Sequence, residues 1–513
     1  MRASNWHLTK QDQRTIAWVF LLHLGVLFPL LIADRYHVDD WGRAVLGYFN
    51  WVNDARPWAD WLMRFIDQGA PFADCSPLPQ FFAFFLLGLT ATFIGKRLGS
   101  GPPLTTGIAS LLLGANPFFL ANVSFKFDAL PMTVALLLAV SAVTLFNPLD
   151  QRPVLAVLAG TLLLYGSLCF YQPSTNAFCV LVLFEIVYGE RDQVSPGQLA
   201  KLLLLRLSQI LVALLSYKFL VSTHIKGEYA IEHARLISGS MAIVDAWNNT
   251  IACWSLVPAA ASGHLRWPLL VMPALALFYA LGLGVTYVIR CRRLSLKSRV
   301  LSLGLLFALL VGFVFAAPGI LILLKVPAAG ARTSVGVSVL FFASACFLIS
   351  AARKMKVSNR FVCWLTALAV LPVAIFGATY ANAIKTQKYY EAHIADLVSD
   401  DILQLPHTSP KSHLTIIGDV GFAPTVRHIY LKKYPFLGRL VPIDLRSDAS
   451  GGFGNTVLQY RGVTLDKYPR QDDRDRLAQQ LGPNNLVKQT PYYDIHLIDQ
   501  DVVLRLKPPA AGN

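Results

Sequence analysis

Charge is what this chain has least of. Only 15% of its 513 residues are Asp, Glu, Lys or Arg, against 55% hydrophobic, at a mean hydropathy of +0.49. That excludes an ordinary soluble domain and is more apolar surface than one core can hide. Acid is scarcer than base, 30 residues to 45, for a net charge of +15. A basic excess can signal nucleic acid, but here it gathers in short segments between apolar runs, which is the mark of membrane topology, so nucleic acid is set aside. The seven cysteines form no CxxC pair. Cys169, Cys179, Cys291, Cys346 and Cys363 fall in or beside apolar runs as small hydrophobes, and a Cys75–Cys253 disulfide is the minor alternative for the other two. No HExxH or similar zinc spacing includes His224 or His233, which read as surface or gating residues beside Lys226, Glu228, Glu232 and Arg235. No internal repeat is present, and the polar, basic start lacks a small-residue cleavage site, so no cleavable leader is expected.

What is abundant is apolar runs near the ~20 residues that a helix needs to cross a bilayer. They fall at about 15–33, 78–95, 104–121, 130–146, 153–170, 174–188, 202–221, 268–289, 300–324, 333–351 and 361–383. The chain therefore reads as a polytopic α-helical membrane protein of about eleven spans. Loop charge sets the orientation. With the N-terminus inside, the cytoplasmic segments hold Arg2, Lys10 and Arg14, then Lys96 and Arg97, Arg152, and Arg191, Lys201 and Arg206. Further on they hold Arg290, Arg292, Arg293, Lys297 and Arg299, and finally Arg353, Lys354, Lys356 and Arg360. Basic segments stay inside, so an odd number of spans puts the chain beyond about 385 outside. Residues 1–384 are expected to form the membrane domain, with outer loops 34–77 and 222–267, and 385–513 a small α/β domain on the outer side.

The first outer loop carries a helical-period stretch, Trp41 to Ile66, interrupted by Pro57 and rich in aromatics, as suits a helix lying in the membrane interface. Tyr229 to Trp254 in the second reads as another partly amphipathic helical segment. Beyond 385, His413–Ile417 reads as a buried strand, Pro424–Tyr434 as a helix, and Tyr493–Ile498 with Val502–Leu506 as a hairpin. Gly418-Asp419-Val420-Gly421 after the first strand falls short of a full GxGxxG phosphate loop.

The residues that invite chemistry cluster in the outer loops. Asp39 and Asp40, followed by Trp41 and Arg43, sit where the first apolar run stops. Adjacent carboxylates can divide base and orienting roles toward an acceptor hydroxyl, or hold a divalent cation, and a solvated turn is the bland alternative. Asp74 precedes Cys75-Ser76-Pro77-Leu78-Pro79-Gln80, where it either orients an acceptor or caps the next helix. Asn116-Pro117-Phe118 leads to Phe125-Lys126-Phe127-Asp128; Lys126 suits a lipid-linked phosphate, against a snorkelling Lys126–Asp128 pair. Tyr171-Gln172-Pro173-Ser174 is a tight polar turn whose backbone needs a cavity or water. Lys325 and Arg332 flank a small-residue loop before a helix, a candidate anion site with Arg332 the preferred phosphate ligand and Lys126 second; headgroup anchoring is the alternative. No metal-ligand set is assigned and no cofactor is called for, a divalent cation staying open.

The order of these features resembles the glucosyl transferase II family, which modifies bacterial O-antigen in serotype conversion, within the polyprenyl-phosphate-dependent C-type glycosyltransferases. The shared order is a DD pair after the first span, Asp-x-Ser-Pro-Leu-x-Gln before the second, Asn-Pro…Lys-Phe-Asp, Tyr-Gln-Pro-Ser and a late outer Arg, over about residues 15–385. The resemblance implies transfer of a sugar, usually glucose, from undecaprenyl phosphate to a lipid-linked or surface glycan on the periplasmic face. By position it makes Asp39 or Asp40 the catalytic carboxylate. It lines the donor and acceptor cavity with Asp74, Lys126, Asp128, Gln172 and Arg332; Arg43, Gln80 and Lys325 are further substrate-binding candidates. A transporter or flippase of lipid-linked sugars is the rival reading, though transporters commonly show inverted repeats.

Overall fold

The computed structural model describes residues 7–149, 152–225, 227–291, 295–405, 412–447, 452–467 and 471–509. Arg2, Lys226, Arg292 and Arg293 lie outside them, as do the side chains of His224 and Glu228. In chain order the helices are α1 (Lys10–Ala33), α2 (Asp40–Leu46), α3 (Pro57–Ile66), α4 (Leu78–Leu98), α5 (Pro103–Ala109), α6 (Leu111–Gly114), α7 (Leu120–Ser124), α8 (Ala129–Thr144) and α9 (Pro153–Phe170). They continue with α10 (Asn176–Arg191), α11 (Pro196–Leu220), α12 (Glu228–His233), α13 (Ala242–Ala260), α14 (Met272–Cys291), α15 (Leu296–Phe315), α16 (Val335–Lys354) and α17 (Asn359–Leu403).

Among the described residues, eight helices are long and apolar enough to cross a membrane: α1, α4, α9, α11, the stretch Gly263–Cys291 ending in α14, α15, α16 and α17. The chain is thus a polytopic helical membrane protein. The other three expected runs are also helical but shorter. Residues 104–121 divide into α5, α6 and the start of α7, while α8 and α10 have 16 residues each. Local chemistry explains the limits. Thr9 and Asp12 satisfy each other's backbone N–H groups at the start of α1, a reciprocal cap (2.8 and 3.2 Å). Proline occupies the first turn of α3, α4, α5, α9 and α11, where its missing N–H is not needed.

The chain divides into two compact units. The first comprises Met1–Phe28, Asn50–Gln68 and Cys75–Gly377. Its core holds Arg206, which sequence patterning counts as an inner-loop charge but which sits inside α11, fully buried. A charge there is tolerable only when every donor is answered. Arg206 donates to both oxygens of Glu185 (2.9 and 3.0 Å) and to the carbonyls of Ala142, Val143 and Phe146. Glu185 also pairs with Arg97. No disulfide joins Cys75 to Cys253.

The second unit comprises Pro29–Phe49, Gly69–Asp74 and Ala378–Asn513. Its centre is a five-stranded sheet of β1 (His413–Ile417), β2 (Asp466–Lys467), β3 (Leu486–Gln489), β4 (Tyr493–Ile498) and β5 (Asp501–Leu506), in the order β2-β1-β5-β4-β3. β1 runs parallel to β2 and β5, while β4 is antiparallel to β3 and β5. The expected first strand and hairpin are therefore present, and 424–433 is helical. α17 reaches 20 residues beyond the expected end of its span. Its stripe of Ile394, Ala395, Val398 and Ile402 packs with Leu414, Ile416, Ile495, Val502 and Leu504 of the sheet, the spacing of one helix face.

The stretch 41–66 is not one helical run. It is α2, a 3-10 turn at Trp51–Asp54, and α3, separated where Gly47, Asn50 and Ala55 adopt left-handed backbone (φ 64°, 58° and 58°). Gly47 caps α2, donating to the carbonyl of Arg43. Pro57 starts α3 instead of breaking a helix.

Candidate functional site

The predicted site residues fall into both units: Asp39, Asp40, Arg43 and Asp74 in the second, and Gln80, Lys126, Asp128, Gln172, Lys325 and Arg332 in the first.

In the second unit, the acidic pair sits in the turn between α1 and α2. Asp40 is fully buried and its Oδ2 accepts the backbone N–H of His37 (3.1 Å), so it braces the turn from the first residue of α2. Asp39, one residue earlier, is half-buried. The pair therefore has two different environments, the condition under which adjacent carboxylates take different tasks. Arg43 is buried and donates to the carbonyl of Phe49 (3.4 Å), holding the loop that follows α2. The N-cap position of α4 is Pro77, and Asp74, three residues earlier, accepts the hydroxyl of Tyr36 (2.9 Å). Burial, with Asp74 alongside, pushes the Tyr36 phenol well above its ordinary value and keeps it a donor.

The turn is anchored by residues that patterning did not single out. Arg35 donates to Glu391 (2.9 Å) and Asp444 (2.7 Å), and all three are buried. Glu391 also accepts the backbone N–H groups of Asp444 and Leu445. Its carboxyl is raised above the usual range by burial, opposed by Arg35. Lys388 donates to the carbonyls of Ala33 (3.0 Å) and Asp34 (2.6 Å), answering the open C-terminal end of α1. Glu391 and Asp444 stand hundreds of residues from Arg35, so only the fold reveals the set.

In the first unit, two arginines lie over aromatic rings, Arg56 over Tyr171 and Arg332 over Phe125. Asp128 accepts the indole N–H of Trp51 (2.6 Å) and pairs with Arg56 (3.6 Å). The Arg56 guanidinium lies over the ring of Tyr171, 5.0 Å from its centroid, and its Nε has no hydrogen-bond partner among the described residues. The Tyr171 hydroxyl donates to the backbone carbonyl of Arg332 (3.0 Å), and the Arg332 guanidinium lies 5.7 Å from the centre of Phe125. Lys126, between Phe125 and Asp128, is buried. Asp128, Arg56, Tyr171 and Arg332 thus form one chain of contacts, with Lys126 buried two residues before Asp128 and Arg56 the member that sequence patterning missed. Its signal was an arginine placed directly before the proline that opens α3.

The remaining candidates have supporting positions. Gln172 donates to the carbonyl of Ala55 (3.3 Å) and to the Tyr217 hydroxyl (2.7 Å), holding the backbone next to Arg56. Gln80 is buried and donates to the carbonyl of Val123 (3.4 Å), tying α4 to the segment before Lys126. Lys325 is exposed, and its backbone N–H pairs with the carbonyl of Arg235. Among the described residues no three His, Cys, Asp or Glu side chains group to hold a metal ion.

Three comparisons bear on what these residues do. No solved structure matches the chain. It is 24% identical over 500 residues, 96% of its own length and 99% of the relative's, to the uncharacterized 55.3 kDa protein in the gtrB 5′ region of Salmonella phage P22. The profile of the glucosyl transferase GtrII family matches residues 28–348, a segment that contains every one of the ten predicted site residues. With well over half of its length matched, this membrane chain belongs to the glucosyl transferase GtrII family.

Proposed function

We propose that the chain transfers glucose from a polyprenyl-phosphate carrier to an O-antigen glycan on the periplasmic face of a bacterial inner membrane. The observation that carries the donor assignment is the Arg56–Tyr171–Arg332 arrangement beside Asp128 and Lys126. Guanidinium groups held over aromatic rings keep their charge and their forked donors, which suit a phosphate with one lipid substituent. The apolar faces around them suit a carrier that stays in the bilayer.

Asp39 is assigned as the base and Asp40 as the group that holds the turn. The acceptor oxygen attacks C1 of the glucose, the C1–O bond to phosphate breaks, and the hydroxyl proton passes to the Asp39 carboxylate. The carrier phosphate leaves with the bonding pair, its charge stabilised by cationic donors. Asp40 keeps Asp39 in place through His37. The eleven-span reading, with the N-terminus inside, goes with this assignment because it puts Asp39 and the C-terminal sheet on the periplasmic side. A transporter of lipid-linked sugars finds no support in the family membership.

The test is incubation of the purified full chain with undecaprenyl-phosphate glucose and the O-polysaccharide of its host cell, followed by mass analysis of the glycan. A hexose increment is expected. Asp39→Asn should cut kcat by about 10²- to 10⁴-fold, the usual worth of a positioned base. Arg56→Ala or Arg332→Ala should raise the donor KM by roughly ten- to a hundredfold. Full activity in Asp39→Asn would remove the base assignment, and no hexose transfer at all would remove the reading.

A further inference from the structure

The second unit carries a cluster of aromatic rings that the donor chemistry does not use. Tyr36, Trp41 and Tyr460 meet pairwise edge to face, with centroids 5.1, 5.9 and 5.8 Å apart and interplanar angles of 64°, 76° and 79°. Tyr36 and Trp41 bracket Asp39 and Asp40 in the chain. Tyr460 comes from the C-terminal domain, directly after the short helix Gly454–Gln459 that packs against α2. A buried aromatic trio needs no further explanation, but this one is open: Tyr460 is 56% exposed, while Tyr36 and Trp41 are half-buried. The Trp41 indole N–H is itself buried, with no hydrogen-bond partner among the described residues.

Polar groups rim the cluster. Asp74 accepts the Tyr36 hydroxyl at an exposed position, and Arg461, next to Tyr460, pairs with the exposed Asp396 (2.7 Å). Open aromatic faces edged by carboxylates and a guanidinium match a pyranose, which presents an apolar C–H face and a rim of hydroxyls. A lipid tail would use the rings but not the ionic rim. A phosphate would use Arg461 but be repelled by Asp74 and Asp396.

We propose that Tyr36, Trp41 and Tyr460 form a binding platform for a sugar ring of the acceptor glycan, next to the Asp39 turn. The proposal rests on the glucosyl-transfer reading for its ligand class and adds where the acceptor is gripped. Tyr460 lies beyond the segment that the family profile matches, 28–348. The platform therefore joins a family-matched strip to a residue supplied by the C-terminal domain, a natural place for acceptor choice to vary.

The experiment uses the full chain in nanodiscs with the O-polysaccharide released from its host's lipopolysaccharide, read by tryptophan fluorescence without donor and by glucose transfer with undecaprenyl-phosphate glucose. Tyr460→Ala should raise the acceptor KM and weaken binding by roughly tenfold, the scale of one aromatic contact, with kcat and donor KM little changed. Tyr460→Phe, which keeps the ring, should restore both, and Tyr389→Ala, another exposed tyrosine of this unit, should behave as the wild type. If transfer is intact and Tyr460→Ala changes nothing, or if Phe fails where Ala fails, the platform is wrong and the glucosyl reading stands. Tyr460-dependent binding without transfer leaves the platform and sinks the reading. Neither binding nor transfer in the wild type overturns both.

Discussion

Single residues here are defined by what they are held against. Asp39 and Asp40 are neighbours in sequence, yet one is half-buried and the other sealed in and occupied by the His37 N–H. The sequence marks the pair as a place for chemistry; only the turn shows that its members differ. The reverse holds for His496, which no motif flagged. It is buried on β4, with Nδ1 2.8 Å from the Asn485 side-chain oxygen, and burial pushes its pKa below 6.5. A histidine with a depressed folded value stays neutral in the fold while the unfolded chain takes up a proton. Its stability contribution is therefore complete above about pH 6.5 and is lost as pH falls below it. Hydrogen-exchange protection of the β4 segment in the full chain, corrected for the intrinsic pH dependence of exchange, should fall between pH 7.5 and 5.5. In His496→Gln that pH dependence should shrink, and an unchanged slope would assign the effect to other groups.

At the scale of elements, periodicity found the long helices and the strands β1, β4 and β5, but neither the short β2 and β3 nor the breaks. The aromatic period from Trp41 to Ile66 is real, yet three left-handed residues divide it, because such turns depend on packing and not on the apolar spacing. What survives is α3. It buries Ala59, Asp60 and Met63 while Trp61 and Phe65, 67% and 70% exposed, stack on each other at the other side. An amphipathic helix with exposed aromatics belongs in the headgroup region. A spin label at Phe65→Cys in a cysteine-free chain should therefore show shallow lipid immersion, accessible to both oxygen and a polar relaxant. Access to the polar relaxant alone would put α3 in water. The 45-residue α17 was legible only in part: its apolar span was evident, but its continuation past 383 is amphipathic toward a sheet far along the chain.

For the whole molecule, the membrane class followed from composition, and the spans mostly from run length. The count is where patterning and structure part. α8 and α10 are each 16 residues long, short of the ~20 that a lone helix needs to cross a bilayer, and α10 carries Glu185 and Glu190. Both are buried along most of their length, and a helix surrounded by others need not match bilayer thickness by itself. The eleven-crossing proposal requires the two ends to lie on opposite sides. Cysteine labelling with a membrane-impermeant reagent, on cysteine-free chains carrying a single new cysteine, should mark Ser447→Cys from the periplasm and Lys10→Cys only after lysis. Labelling of both from one side would make the number of crossings even. The division of the candidate residues between two compact units was not visible in their order along the chain, because both units are discontinuous in sequence.

The Arg206–Glu185 pair also constrains how the protein is made. An arginine fully enclosed by a carboxylate and carbonyls of the α8 end has no tolerable state facing hydrocarbon alone. The turn between α10 and α11 is only a few residues long. Insertion of the two segments together, as a hairpin whose charges already meet, avoids the cost of exposing either charge to hydrocarbon.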